Sequence, residues 1–463
     1  MSRKSKTLII ILGVLVLLGG GYYGSAIWKK KKPASTSSAA TAPKIGNLDS
    51  SKLVKIEVPG IVLQKNNDTW ELVSLEGKNP PKGIELDQSQ IQNMTYSLAT
   101  VYVEQVVEET PADLSVYGLD KPSSRAVVTD SDGKRVEYIL GDVAPSRTSN
   151  YIMEGGDPTV YTVSSYSADS MRFTLDKIRQ RALFAAFELP TLTQFRLESP
   201  AARIEISAKP ENVPPYLASS FTTFIMSSPY KLPRGVNSES FNTLLTPFNN
   251  LAIADFIDDL PSSLKPYGLD TPIRIFLQTN AASLDLQIGN QVDGKRYAKL
   301  AGAPGVFTLS GLESVISAKP FDLVDKFPLL VSIDSVNHLS VTGGEKDLNA
   351  DFQGTGDDAV YTLNGKKTES KSFKIFYQAV IGLLMDAEYS GGNVPAQNSE
   401  APGTGNITIE YQFNTPPGEQ TSLTLIPYNR DFYVLRQQGT MEFLISRNQV
   451  RKIYETADTV TYE

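Results

Sequence analysis

One six-residue pattern occurs twice in this chain. Tyr117-Gly118-Leu119-Asp120-Lys121-Pro122 and Tyr267-Gly268-Leu269-Asp270-Thr271-Pro272 place their glycines 150 positions apart. A leucine stands four residues before each glycine, Leu114 and Leu264. That spacing predicts a short helix ending in a Schellman turn. The glycine takes the left-handed position just past the helix, and the leucine after it packs back onto the leucine of the last turn. Pro122 and Pro272 keep the helix from resuming. Thr110-Pro111 reads as cap and first helical residue, and Pro261 fills that first position in the second copy. A chain that repeats so specific a segment is built from repeated modules.

The repeat extends well beyond the motif. Leu53 to Val58, Ile61 to Gln64 and Thr69 to Val73 read as strands, and Asp87 with Gln90 three residues on is a capping-box signal. Ile91, Met94, Leu98 and Val101 then form the stripe of an amphipathic helix. Phe241, Leu244, Phe248 and Leu251 repeat that spacing, as do Phe373, Phe376, Val380 and Leu383. From stripe to motif glycine is 27 residues in both copies that have the motif, 91 to 118 and 241 to 268. Strand-like segments follow, ending at Gly141-Asp142 and Gly289-Asn290. Next come aromatic pairs ten residues apart, Tyr151 with Tyr161, Tyr297 with Phe307 and Tyr433 with Phe443, each bracketing a hairpin turn. Short helices are expected around Ser165 to Phe173, Gly311 to Ile316 and Asn448 to Ile453. The third copy departs: it has no Tyr-Gly-Leu-Asp motif, Gly391 to Gly405 is loop-like, and Pro427 stands where the others have glycine after the strand. Terminal units of an array often diverge in this way.

These elements predict an α+β fold of three tandem units, 48–190, 191–332 and 333–463. Each is expected to hold an antiparallel sheet of six or seven strands, one long amphipathic helix and short connecting helices. An N-terminal transmembrane anchor (1–32) and a flexible linker (33–47) precede them. For the anchor, Arg3, Lys4 and Lys6 come before a run from Thr7 to Trp28 that is 22 residues long, enough to span a bilayer as a helix. Tyr22, Tyr23 and Trp28 suit the headgroup level. Gly24-Ser25-Ala26 resembles a signal-peptide cleavage site, but Lys29 to Lys32 just beyond it favour an uncleaved anchor.

Charge places the body. The chain holds 44 basic and 51 acidic residues, and its first 32 hold 7 basic and none of the acidic ones, so the remainder carries 37 − 51 = −14. An acidic body is a poor partner for nucleic acid or anionic lipid. The expected arrangement is a single-pass protein of the cytoplasmic membrane, N-terminus inside and the bulk of the chain outside. There are no cysteines and one histidine, His338, which excludes disulfides, thiol chemistry and most histidine metal sites.

Candidate chemistry has bland alternatives throughout. Asp120 and Asp270 suggest twin carboxylates, but an Asp two residues after a helix and two before a proline more often ties up local N–H groups in an Asx turn. Tyr117 and Tyr267 are expected to cover the motif with their rings. Ser262 and Lys265 have acylating-pair spacing, with no Lys-Thr-Gly elsewhere to complete it. Glu104, Glu108 and Glu109, like Asp255, Asp258 and Asp259, read as solvated helix-end clusters, since no calcium-loop pattern frames them. His338 reads as structural and Trp70 as core. No catalytic residue, cofactor site or metal site is nominated.

The pattern Leu-x-x-Tyr-Gly-Leu-Asp-x-Pro, then a strand ending in Gly141 or Gly289, then Tyr151 or Tyr297, resembles an uncharacterised bacterial family, the domain of unknown function labelled 4340. The resemblance implies a membrane-anchored envelope protein. Through relatives associated with gliding-motility-type ABC transporters, it also implies an accessory role beside a transport complex. The functional expectation is therefore a non-enzymatic binding or scaffold module with an envelope or transporter protein as partner. The alternative is an envelope hydrolase using paired carboxylates on cell-wall glycan.

Overall fold

The structure is a computed structural model that describes residues 43–184, 187–200, 202–218, 222–391, 405–414 and 417–463. The expected span Thr7 to Trp28 and the linker up to residue 42 lie outside the described residues. No helix among the described residues is long and apolar enough to cross a membrane.

The α+β expectation is corrected. Strand accounts for 42% and helix for 22%, so the chain is mostly antiparallel sheet. The first large sheet has eight strands, in the order Thr69–Leu75, Ile61–Asn66, Leu53–Val58, Ser124–Asp130, Arg135–Val143, Ser149–Glu154, Val160–Ser164, Gln105–Glu108. The second has nine: Arg234–Gly235, Phe224–Ser228, Arg203–Ala208, Leu192–Glu198, Ile273–Thr279, Ser283–Val292, Lys295–Leu300, Val306–Leu309, Asp255–Asp258. The third also has nine: Lys366–Lys367, Val360–Leu363, Leu348–Gln353, Val336–Thr342, Ile407–Asn414, Pro417–Pro427, Phe432–Gln437, Thr440–Ser446, Ala387–Glu388. A fourth sheet is the small pair Lys44–Ile45 and Val101–Tyr102.

One path builds all three large sheets. A meander runs outward from the centre to one edge, a helix follows, and a short strand lies on the far edge. The chain then returns to the centre and meanders out to meet that strand. Two features make the class β rather than α+β. The helices are Gln88–Ala99, Ser238–Leu245 and Ser370–Ile381, of 12, 8 and 12 residues, and they stop before the stripe does. Thr100 turns extended, Pro247 falls in a 3-10 turn, and Gly382 ends the third helix. The fourth stripe residues Val101, Leu251 and Leu383 are buried nonetheless, off the helix. The acidic segments read as helix ends are the far-edge strands Gln105–Glu108 and Asp255–Asp258.

Contacts divide the chain into two compact units. The first holds the described residues up to Pro80 together with Leu86–Arg179, and the second holds Pro81–Glu85 and Gln180–Glu463. The first has its own core, in which Ile56, Leu63, Trp70, Ile91 and Leu98 are nearly or fully buried. In the second, one continuous core runs from Phe195 and Phe241 through Phe373, Phe376 and Phe443. The second and third sheets are thus parts of a single folding unit.

Candidate functional site

The repeated motif is the most constrained local structure. Leu114–Tyr117 and Lys265–Tyr267 each form a single 3-10 turn rather than an α-helix. The glycine that follows is left-handed in both copies, at φ 67°, ψ 21° for Gly118 and φ 67°, ψ 23° for Gly268. The Leu119 N–H donates to the Leu114 carbonyl at 3.0 Å, and the Leu269 N–H to that of Leu264 at 3.1 Å, the long bond of a Schellman closure. The cap in the first copy is Asp113, whose side chain accepts from the Ser115 N–H, and not Thr110. In the second copy Leu264 takes the cap position, and Pro261 lies outside the turn.

The turn docks on the sheet through glycine. A Cβ on Gly141 would lie 2.2 Å from the Tyr117 carbonyl oxygen, and one on Gly289 would lie 2.0 Å from that of Tyr267. Leu119 and Leu269 are 3% and 2% exposed against those strands. The Tyr117 ring meets Tyr151 edge-on at 5.0 Å and the Tyr267 ring meets Tyr297 at 5.1 Å, both at 67°. Each phenol then donates to a carboxylate of the far-edge strand, Tyr117 to Glu108 at 2.6 Å and Tyr267 to Asp258 at 3.2 Å. The bond to Glu108 holds the Tyr117 phenol above its usual pKa; for Tyr267 partial burial comes first and Asp258 second. The motif thereby ties the first strand after the centre to the edge strand, in duplicate.

Other expected residues are not gathered into a site. The Asx turn expected at Asp120 and Asp270 does not form: both side chains are exposed and make no hydrogen bond among the described residues. Lys265 lies in the 3-10 turn with its backbone N–H donating to Ser263 Oγ, and no hydrogen bond joins its ammonium to Ser262 among the described residues. Asp255 accepts from Thr308 on the adjacent strand and from Lys295 on the strand beyond it. His338 pairs across strands with Asp351 through Nδ1 at 2.7 Å. Trp70 is buried. Among the described residues no three His, Cys, Asp or Glu side chains are placed to hold a metal ion.

The third copy is out of phase by one residue. Tyr161, Phe307 and Phe443 pair with Ile152, Ala298 and Leu435. The position of Tyr151 and Tyr297 is therefore taken by Val434, and Tyr433 turns to the core face. By the same register Ile426, not Pro427, stands where the other sheets have Gly141 and Gly289. A ten-residue interval conceals this because the last hairpin carries an irregularity between Leu435 and Arg436.

The position of Tyr433 is held in the first sheet by Asn150, which is 0% exposed and whose amide has no partner. A buried amide without partners costs about 1–3 kcal/mol, whereas an apolar side chain of the same shape does not. Asn150→Leu is accordingly expected to match or exceed the parent in thermal unfolding. A drop of more than about 1 kcal/mol would show that an ordered water satisfies the amide.

The class defined here is a tandem-repeat protein of antiparallel sheets clamped by a Tyr-Gly-Leu turn. The chain belongs to the family described as a domain of unknown function (DUF4340), whose model matches residues 70–272 and 226–379. The first match ends on the last residue of the second motif, so the matched segments are not in phase with single sheets. No curated protein and no solved structure matches the chain.

Proposed function

We propose that this chain is a membrane-tethered, non-enzymatic binding or scaffold protein of the cell envelope, accessory to a membrane transport complex. The observation that carries the reading is the fate of the duplicated motif. Its leucine, tyrosine and glycine each hold a conformation or a packing contact, so the duplication multiplies a module and not a reaction centre. The sequence adds a 22-residue apolar stretch with basic flanks, which suits a single-pass anchor, and an acidic body that suits the extracytoplasmic side. Tandem modules on a tether favour multivalent contact with a protein partner.

Two measurements test this. Purification from detergent at native expression is expected to bring down a membrane protein; a chain that emerges alone would refute the accessory role. Protease added to intact spheroplasts is expected to digest the body, and protection would reverse the orientation.

A further inference from the structure

A groove of about 250 Å³ runs beside the last helix of the third repeat, Arg447–Asp458. Its floor includes Ile407, Tyr433 and Val450, all buried, and its rim carries Arg447, Arg451 and Glu345. Tyr433 reaches this face because of the one-residue change of phase.

The second repeat shows what the same junction looks like when closed. There Arg296, paired with Leu309, holds the strand position that Tyr433, paired with Ile445, holds in the third. Its guanidinium makes a two-pronged ion pair with Glu313, the first residue of the following helix, at 2.7 and 3.2 Å. In the third repeat the guanidinium comes from the helix itself. Arg447 stands over the Tyr433 ring at 4.4 Å and donates to the Asn429 carbonyl at 2.9 Å and the Tyr433 hydroxyl at 3.3 Å. No carboxylate pairs with it among the described residues. Arg451, one turn on, donates to the Asn448 side-chain oxygen and stands 3.6 Å from Glu455, with the Arg451 and Glu455 side chains both more than half exposed. The junction has two guanidiniums, and the carboxylate that closes it in the second repeat is missing.

We propose that this groove binds a small organic carboxylate that also bears an amino group, a free amino acid being the simplest case. The guanidinium forks of Arg447 and Arg451 suit a carboxylate in geometry and charge. Tyr433, Val450 and Ile407 offer an apolar floor for a side chain. Glu345, an exposed residue that also lines the groove, repels a plain anion and favours an ammonium group, so it selects the zwitterion. The inference is independent of the proposed envelope role.

Calorimetric titration of the whole chain in detergent, with leucine, 4-methylpentanoate and inorganic phosphate, tests it. Leucine is expected to bind saturably and more tightly than 4-methylpentanoate, which lacks the ammonium group. Arg451→Gln, at an exposed rim position that leaves folding unaffected, is expected to weaken leucine about tenfold, the loss of one charge-assisted bond. Glu345→Gln is expected to weaken leucine and leave 4-methylpentanoate unchanged or tighter. Absence of saturable leucine binding, leucine affinity untouched by Arg451→Gln, or binding of phosphate alone would each overturn the proposal.

Discussion

Arg234→Ala is expected to lower the unfolding free energy of the second unit by about 3–5 kcal/mol, the cost of leaving one partner of a buried ion pair behind. Arg234 lies on the short edge strand of the second sheet and is 4% exposed. The hydrogen bonds and the ring contact of its guanidinium all go to the last hairpin of the third sheet, while Tyr216 and Tyr230 of the second repeat lie within reach of its charge. It donates to Gln437 Oε1 at 2.6 Å and to Glu442 Oε2 at 3.2 Å, and it covers the Phe443 ring at 4.7 Å. Glu442 also accepts from the Lys231 N–H at 2.6 Å, and the Gln437 amide donates to the Pro328 carbonyl at 3.1 Å. Burial pulls the Arg234 pKa below its usual value, while the bond and charge of Glu442 oppose the shift.

Truncating Arg234 would strand a carboxylate and an amide in a dry junction, so the loss exceeds that of any single contact. Lysine is not expected to rescue, because a point charge cannot serve two acceptors and a ring face together. The apolar pair Arg234→Met with Glu442→Leu is expected to recover most of the stability, since it removes the desolvated charges along with their attraction. Urea unfolding of the two single variants and the double variant closes the cycle. A loss under about 1 kcal/mol for Arg234→Ala would place the pair in the class of solvated surface bridges.

What the sequence could reveal follows from the range of the interactions. Local chemistry was legible: the Gly118 and Gly268 turns, the stripe residues and Trp70 each depend on neighbours within a few positions. The far-edge strands were not, for a physical reason. A sheet edge must be polar to resist pairing with other chains. Gln105–Glu108 and Asp255–Asp258 therefore show almost no buried alternation and read as charged helix ends. Taking them as helix, and extending each stripe past the end of its helix, produced the α+β assignment in place of a mostly β fold. Arg234 gave no local sign at all, because its partner Glu442 is 208 positions away. Tyr433 was misplaced because counting residues cannot detect a one-residue irregularity inside a hairpin.

The other large effect concerns the strand glycines that receive the motif. Gly289→Ala and Gly141→Ala are each expected to cost about 1–3 kcal/mol, the range for forcing an extra carbon into a packed site. Neither glycine has a left-handed backbone, so alanine brings no conformational strain and the whole loss must come from the clash with the Tyr267 or Tyr117 carbonyl. Gly305→Ala is the control. It too lacks a left-handed backbone, its added carbon would meet nothing nearer than 3.8 Å, and reduced freedom of the unfolded chain should leave it neutral or slightly stabilising. Undocking should also release the tyrosine rings from Tyr297 and Tyr151, so the near-ultraviolet tyrosine signal is expected to fall in the two clash variants and not in the control. The third repeat already carries a bulkier version of this change. Ile426 occupies the strand position of Gly141 and Gly289, and the Tyr-Gly-Leu turn is missing from that repeat. Glycine on the strand and motif in the loop are thus two halves of one lock. If Gly289→Ala unfolds no more easily than Gly305→Ala, the lock does not exist and the motif occurs twice in this chain for some other reason than docking.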